Sequence, residues 1–180
     1  MPIVEADIIY RLTVTTGPGD STAQADPDLS LGEFVSTTAL DLGTALNNLF
    51  DDVSGAENAA SDVEYRAIAV VNKHATLTLQ SAVAWISAEV ANGASVAIGL
   101  DPAGVVALDS ASAQGAEIVD ESTAPAGVTF STPTTKGTGL AIGNMAPDTA
   151  QLIWIRRTAA DTAALNDDGV TLRVEGDTAA

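Results

Sequence analysis

SDVEYRAIAVVNKHATLTLQSAVAWISAEVANGASVAIGL, residues 61–100, decides the fold, because nowhere else in the chain do three apolar runs follow one another so closely. Val63, Tyr65, Ala67, Ala69 and Val71 alternate with Glu64, Arg66, Ile68 and Val70. One face is wholly apolar and the other changes from charged to apolar, the pattern of a strand whose far end is covered on both sides inside a sandwich. Asn72, Lys73 and His74 break the run; Thr76–Leu79 and Val83–Ile86 resume it with β-branched and aromatic residues. Asn92-Gly93 marks a tight turn before a strand over Ser95–Leu100. Trp85 is expected to plug the core opposite small alanines and valines, and its indole N–H needs a partner if it is fully buried.

Working outward, Ile8, Tyr10, Leu12 and Val14 alternate with Ile9, Arg11 and Thr13, which predicts a first strand over Asp7–Thr15. Gly17-Pro18-Gly19-Asp20 stops it, and the polar segment to Ser30 reads as a surface loop. Leu29–Thr38 is expected to return as a short edge strand. From Leu40 to Val53, Leu42, Leu46, Leu49 and Phe50 fall at helical spacing, and Asp41 is placed to cap a short helix near residues 40–53. Asp51 to Asp62 reads as an acidic connection.

Downstream of Leu100, Asp101-Pro102-Ala103-Gly104 is a turn, and short strands are expected at Val105–Leu108, Val128–Ser131 and Gly139–Ile142. QLIWIRR, residues 151–157, is a strong strand carrying Trp154. Asn166-Asp167-Asp168-Gly169 is a hairpin-type turn signal before a last strand in which Val170, Leu172 and Val174 alternate with Thr171, Arg173 and Glu175. Eight or nine short strands separated by turn residues predict an all-β antiparallel β-sandwich of immunoglobulin-like or jelly-roll type. Residues 1–28 are expected to form an N-terminal strand and loop able to act as an arm, and residues 29–180 a single sandwich domain. Both tryptophans are expected on opposing or adjacent inner faces.

The 24 acidic residues outnumber the 7 basic ones, giving a net charge of −17, with lysine only at Lys73 and Lys136. A charge of that size repels phosphate, and the arginines are scattered singly except for Arg156-Arg157, so neither nucleic acid nor an anionic membrane is an expected partner. Such a surface suits a halophilic setting, where carboxylates hold water and cations; compositional drift in an alanine-rich chain accounts for it equally. There is no cysteine, hence no disulfide, thiolate nucleophile or zinc-thiolate site. The start MPIVEADIIYR lacks a basic region followed by an apolar one, so neither export nor anchoring is expected, and release in the cytoplasm of the cell that makes the chain is.

Candidate chemistry is sparse. His74, the one histidine, falls in a polar turn, where a solvated loop residue is the expected reading rather than a base beside a nucleophile. Gly137-Thr138-Gly139 lacks the spacing, following helix and lysine of a phosphate loop. Asp51, Asp52, Glu57 and Asp62 are the carboxylates grouped closely enough to suggest oxygen ligands for a hard cation, but they fit no calcium-loop spacing and read as a solvated acidic face. Arg156-Arg157 puts one guanidinium on each face of its strand. No catalytic residue, cofactor or metal is expected, and the chain does not read as an enzyme.

Three blocks together resemble a family of tailed-virus virion structural proteins: DPDLSLGEFVSTT (26–38), LNNLFDDVSGAENAASDVEYRAIAVVNKHATLT (46–78), and residues 151–177 with WIRRT and LRVEGD. VAIGLDPAG (96–104) and STAPAGVTF (122–130) agree with it. The resemblance covers most of the chain and implies a structural component of the particle, with no active site. Within that context the leading expectation is a capsid decoration (accessory) protein, and the charge of −17, which would be repelled beside packaged genome, favours the outer surface of the head. Its partners would be the major capsid protein or other virion proteins, and it would be a homo-oligomer, plausibly a trimer. Alternatives are a tail, baseplate or fibre component, or an immunoglobulin-like adhesion or carbohydrate-binding module.

Overall fold

A computed structural model describes residues 2–43, 47–159, 163 and 168–178. Its elements are β1 (Ile8–Val14), β2 (Phe34–Ala39), α1 (Gly55–Ala60), β3 (Val63–Asn72), β4 (Leu79–Glu89), β5 (Ser95–Leu100), β6 (Val106–Ala107), β7 (Leu140–Met145), β8 (Thr149–Thr158) and β9 (Val170–Thr178). They form an antiparallel β-sandwich. The large sheet runs β2-β1-β3-β8-β5, with β6 also on β8, and the small sheet runs β7-β4-β9. No helix among the described residues is long and apolar enough to cross a membrane.

The three strands of residues 61–100 are not a meander. β3 and β5 both flank β8 in the large sheet, while β4 crosses to the small one. The core between the sheets takes Leu12, Ile68, Val70, Ile98, Ile153 and Ile155 from the large sheet against Leu79, Ala82, Ala84 and Ile86 of β4. The opposite face of the large sheet carries Ala67, Ala69, Val71, Leu152 and Trp154, and Leu108, Ile118 and Phe130 of the segment after β5 pack over it. A sheet buried on both faces explains why β3 and β8 read as near-continuous apolar runs. From Ala67 to Asn72 every residue of β3 is buried.

Several expectations need correction. Both tryptophans are buried, Trp154 completely and Trp85 to 6 % exposure, but neither stands between the sheets. Trp154 lies on the outer face of the large sheet with Ala67 and Ile118, and Trp85 falls between the core residues Ala84 and Ile86, so it points the other way. The small neighbours expected around Trp85 belong to Trp154, which is flanked by Ala67 and Gly99; Trp85 faces Arg173. The runs at Thr76–Leu79 and Val83–Ile86 contribute to one strand, β4, whose register slips between Gln80 and Val83 beside Ser81, a residue at φ 50°.

Residues 40–43 and 47–53 are not helical, and 44–46 lie outside the described residues. The helix is α1, in the stretch expected to be a connection. Ser54 and Glu57 form its capping box, and Ser61 ends it in the left-handed conformation at φ 52°. Its sequence, GAENAA, buries nothing, so capping rather than an apolar face starts it. Val128–Ser131 is not a strand and contributes a single bridge from Ser131 to Ile98. Of the hairpin signal, Asn166 and Asp167 lie outside the described residues; β9 pairs with β4, not with β8. In the large sheet β1, the strand of the N-terminal segment, pairs with β2 on one side and β3 on the other.

Candidate functional site: a groove between the sheets

The sequence-derived candidates come first. Asp51 binds Arg157 at 3.1 Å, Glu57 closes the α1 cap, and Asp62 accepts the backbone N–H of Val63 at 2.9 Å. Asp52 is exposed. Three of the four carboxylates thus have separate tasks, and among the described residues no group of three or more His, Asp or Glu side chains is placed to hold a metal ion. His74 shapes its turn: Nδ1 accepts the N–H groups of Thr76 (3.1 Å) and Leu77 (3.0 Å). Gly139, behind the glycine-rich stretch, lets the backbone pass close to Val83.

Two buried polar clusters were not foreseen. Asp101, 2 % exposed, ends β5 and accepts the Trp154 indole N–H at 2.9 Å, the Ala116 N–H at 2.8 Å and the Ala103 N–H at 2.9 Å. These three bonds fasten the covering segment to the end of β5.

The second cluster gathers Arg157, Glu64, Asp51, Phe50, Arg66, Asp28 and Glu121. Arg157 Nε donates to Glu64 Oε2 at 2.7 Å, and its guanidinium lies 4.7 Å from the Phe50 ring centroid. Arg66, wholly buried, stacks over the same ring at 5.5 Å and pairs with Glu121 and, at 3.6 Å, with Asp28. Arg156, on the other face of the strand, lies over the Phe130 ring at 5.4 Å.

Burial holds the Glu64 carboxyl above the usual carboxylate range, with the Arg157 guanidinium opposing the rise. The folded protein therefore keeps this proton more tightly than the unfolded chain. Its contribution is present below the unfolded carboxylate value and is lost as pH rises from there through the raised folded value. Wild type should lose stability relative to Glu64→Gln over that interval, read from denaturation midpoints at successive pH values. Parallel profiles for the two proteins reject the assignment.

A groove of about 1500 Å³ lies between the two sheets. It arises because three strands cannot cover the inner face of a six-stranded sheet. Its floor carries Ile8 and Tyr10 of β1, Phe50 closes one end, and its far wall is the inner face of β9, Val170, Leu172 and Val174, all half-buried. Tyr10 spans it: burial raises its phenol, and the backbone of Val174 hydrogen-bonds to the hydroxyl and opposes the rise. The volume exceeds the roughly 300–1,000 Å³ usual for small-ligand sites, so the shape suits a length of chain better than a compact molecule.

No family model, curated protein or solved structure matches this chain. The sequence had flagged loop carboxylates and a turn histidine and passed over the groove. The signal available was the strict alternation of β9, an amphipathic strand with no stated partner for its apolar face.

Proposed function

We propose that the protein is a virion structural component, a decoration protein on the outer surface of a tailed-virus head. The observation that carries this reading is where the three blocks that bear the resemblance meet. Asp28 comes from residues 26–38, Phe50, Asp51, Glu64 and Arg66 from 46–78, and Arg157 from 151–177, and all join in one ionic cluster. The blocks also supply β2, β3 and β8 of the large sheet. The blocks that carry the resemblance thus build a scaffold, as expected of a protein whose task is to hold a shape and present surfaces.

Charge favours the exterior. At −17 per copy, a position beside packaged genome would be strongly repulsive. The partner is then the major capsid protein, with self-association, as a trimer, at positions where capsomers meet. Quantitative mass spectrometry of purified particles tests this. The expected result is on the order of hundreds of copies per particle; a handful would move the protein to the tail, baseplate or fibre, and absence from particles rejects a virion role.

A further inference from the structure

The sheet edges differ in how they are closed. The outer edge of β2 is taken by the chain itself: Asp20 N–H donates to Val35 O at 2.9 Å and Thr37 N–H to Thr22 O at 2.9 Å. The outer edge of β5 is closed by Ser131, which exchanges two backbone hydrogen bonds with Ile98 at 2.9 and 3.0 Å. β7 is short and irregular, with Gly143 at φ 91° and register slips against β4. Such devices keep an edge from pairing with another chain.

Among the described residues β9 has none of them. It is nine residues long, and both register slips against β4 insert the extra residue on the β4 side, so β9 itself stays regular. Gly169 O accepts from Val90 N–H (3.0 Å) and Thr171 O from the Ser87 hydroxyl (3.2 Å), so the odd-numbered residues face β4. By alternation Val170, Leu172, Val174 and Gly176 turn their backbone groups to the open edge. Their inward side chains are those that wall the groove. Among the described residues, the group that reaches this edge is the Tyr10 hydroxyl, at Val174. Among the described residues, an open backbone edge stands beside a groove walled by Val170, Leu172 and Val174, the geometry of strand addition, in which main-chain bonds give affinity and alternate side chains enter the pocket.

The charge around the groove selects the occupant. Five acids line it, Glu5, Asp51, Asp52, Asp168 and Glu175, against Arg157 and Arg173. Both arginines are already engaged, Arg157 with Glu64 and Asp51, and Arg173 with Glu175 at 3.5 Å. A second copy of this chain brings the same acids and a charge of −17. We infer that β9 is a docking edge for an extended segment of a partner protein in which apolar residues alternate with lysine or arginine. The segment becomes the fourth strand of the small sheet, its apolar side chains over Ile8 and Tyr10 and its basic ones toward the acidic rim. This holds whether or not the protein belongs to a virion.

The probe is a synthetic heptapeptide of alternating lysine and valine, added to the full-length protein. The expected result is saturable binding with amide-exchange protection at Val170, Leu172 and Gly176, the Val174 backbone being already bonded to the Tyr10 hydroxyl. A glutamate-for-lysine version should bind at least about tenfold more weakly, as should a peptide N-methylated along one edge, which keeps its charge but cannot form the ladder. Leu172→Pro removes an N–H from the open edge only and should abolish protection at its neighbours; unchanged circular dichroism and a native Trp fluorescence spectrum are the check on folding. Equal binding of the N-methylated peptide overturns the inference in favour of charge alone. Protection elsewhere, no binding at millimolar peptide, or concentration-dependent protection of the same amides without peptide, which would identify a second copy, also overturns it.

Discussion

Replacing Trp154 with alanine should lower stability by about 3 to 5 kcal/mol. The side chain is fully buried, and its surroundings cannot move in to fill the space it leaves. Its cross-strand neighbours are Ala67 and Gly99, and Gly32 admits it so closely that a methyl group there would stand 2.8 Å from the ring. The substitution also deprives Asp101 of a donor in a site closed to water, adding roughly 1 to 3 kcal/mol of unmet hydrogen bonding. Trp154→Phe, which refills most of the volume but still lacks the N–H, should fall between wild type and Trp154→Ala. Urea midpoints order the three proteins; a Trp154→Ala midpoint near wild type would sink the account of this face as core.

The other large effect is expected at Arg157. Removing it leaves Glu64 buried without the guanidinium that solvates it, at a cost of about 3 to 5 kcal/mol near neutral pH, as for other broken buried pairs. The partner remains, so the loss reports an orphaned charge more than the worth of the pair. Two further results follow. Adding Glu64→Gln to Arg157→Ala should recover part of the loss, and lowering the pH until Glu64 takes up a proton should shrink it. A double variant no more stable than Arg157→Ala, together with a pH-independent penalty, would mean that Arg157 acts through its packing on Phe50 alone.

The strands legible in the sequence were those whose period no irregularity interrupts. β3 and β8 pair over their full ten residues, Val63 with Thr158 through Asn72 with Thr149, and their apolar runs announce it. β4 was read as two pieces because its inward residues step from Leu79 to Ala82 before resuming at Ala84 and Ile86, a slip that the turn-like φ of Ser81 accommodates and that a strict period of two cannot represent. Leu42, Leu49 and Phe50 mimicked a helix stripe, yet Leu49 enters the core from an irregular segment and Phe50 lies under two arginines, so their spacing reflects tertiary demands. α1 had no apolar stripe to read, only the Ser54 and Glu57 pair that caps it. Which sheet a strand joins, and hence where a groove is left open, depends on contacts between distant segments that local periodicity does not encode.

The pairing of β3 with β8 also sets an order of events during synthesis. When the first hundred residues have emerged, β3 has β1 on one side and nothing on the other, and Ala67, Ala69 and Val71 have no cover. Its second neighbour begins only at Thr149, and the covering segment cannot lock down before Trp154 exists to meet Asp101. The growing chain therefore carries its most apolar strand with one edge unpaired until almost nine-tenths of the protein has been made. Contacts so distant in sequence form slowly, and an exposed apolar edge invites association between nascent chains. In that interval the strong negative charge has a use unrelated to the finished fold: it keeps unfinished copies on neighbouring ribosomes apart.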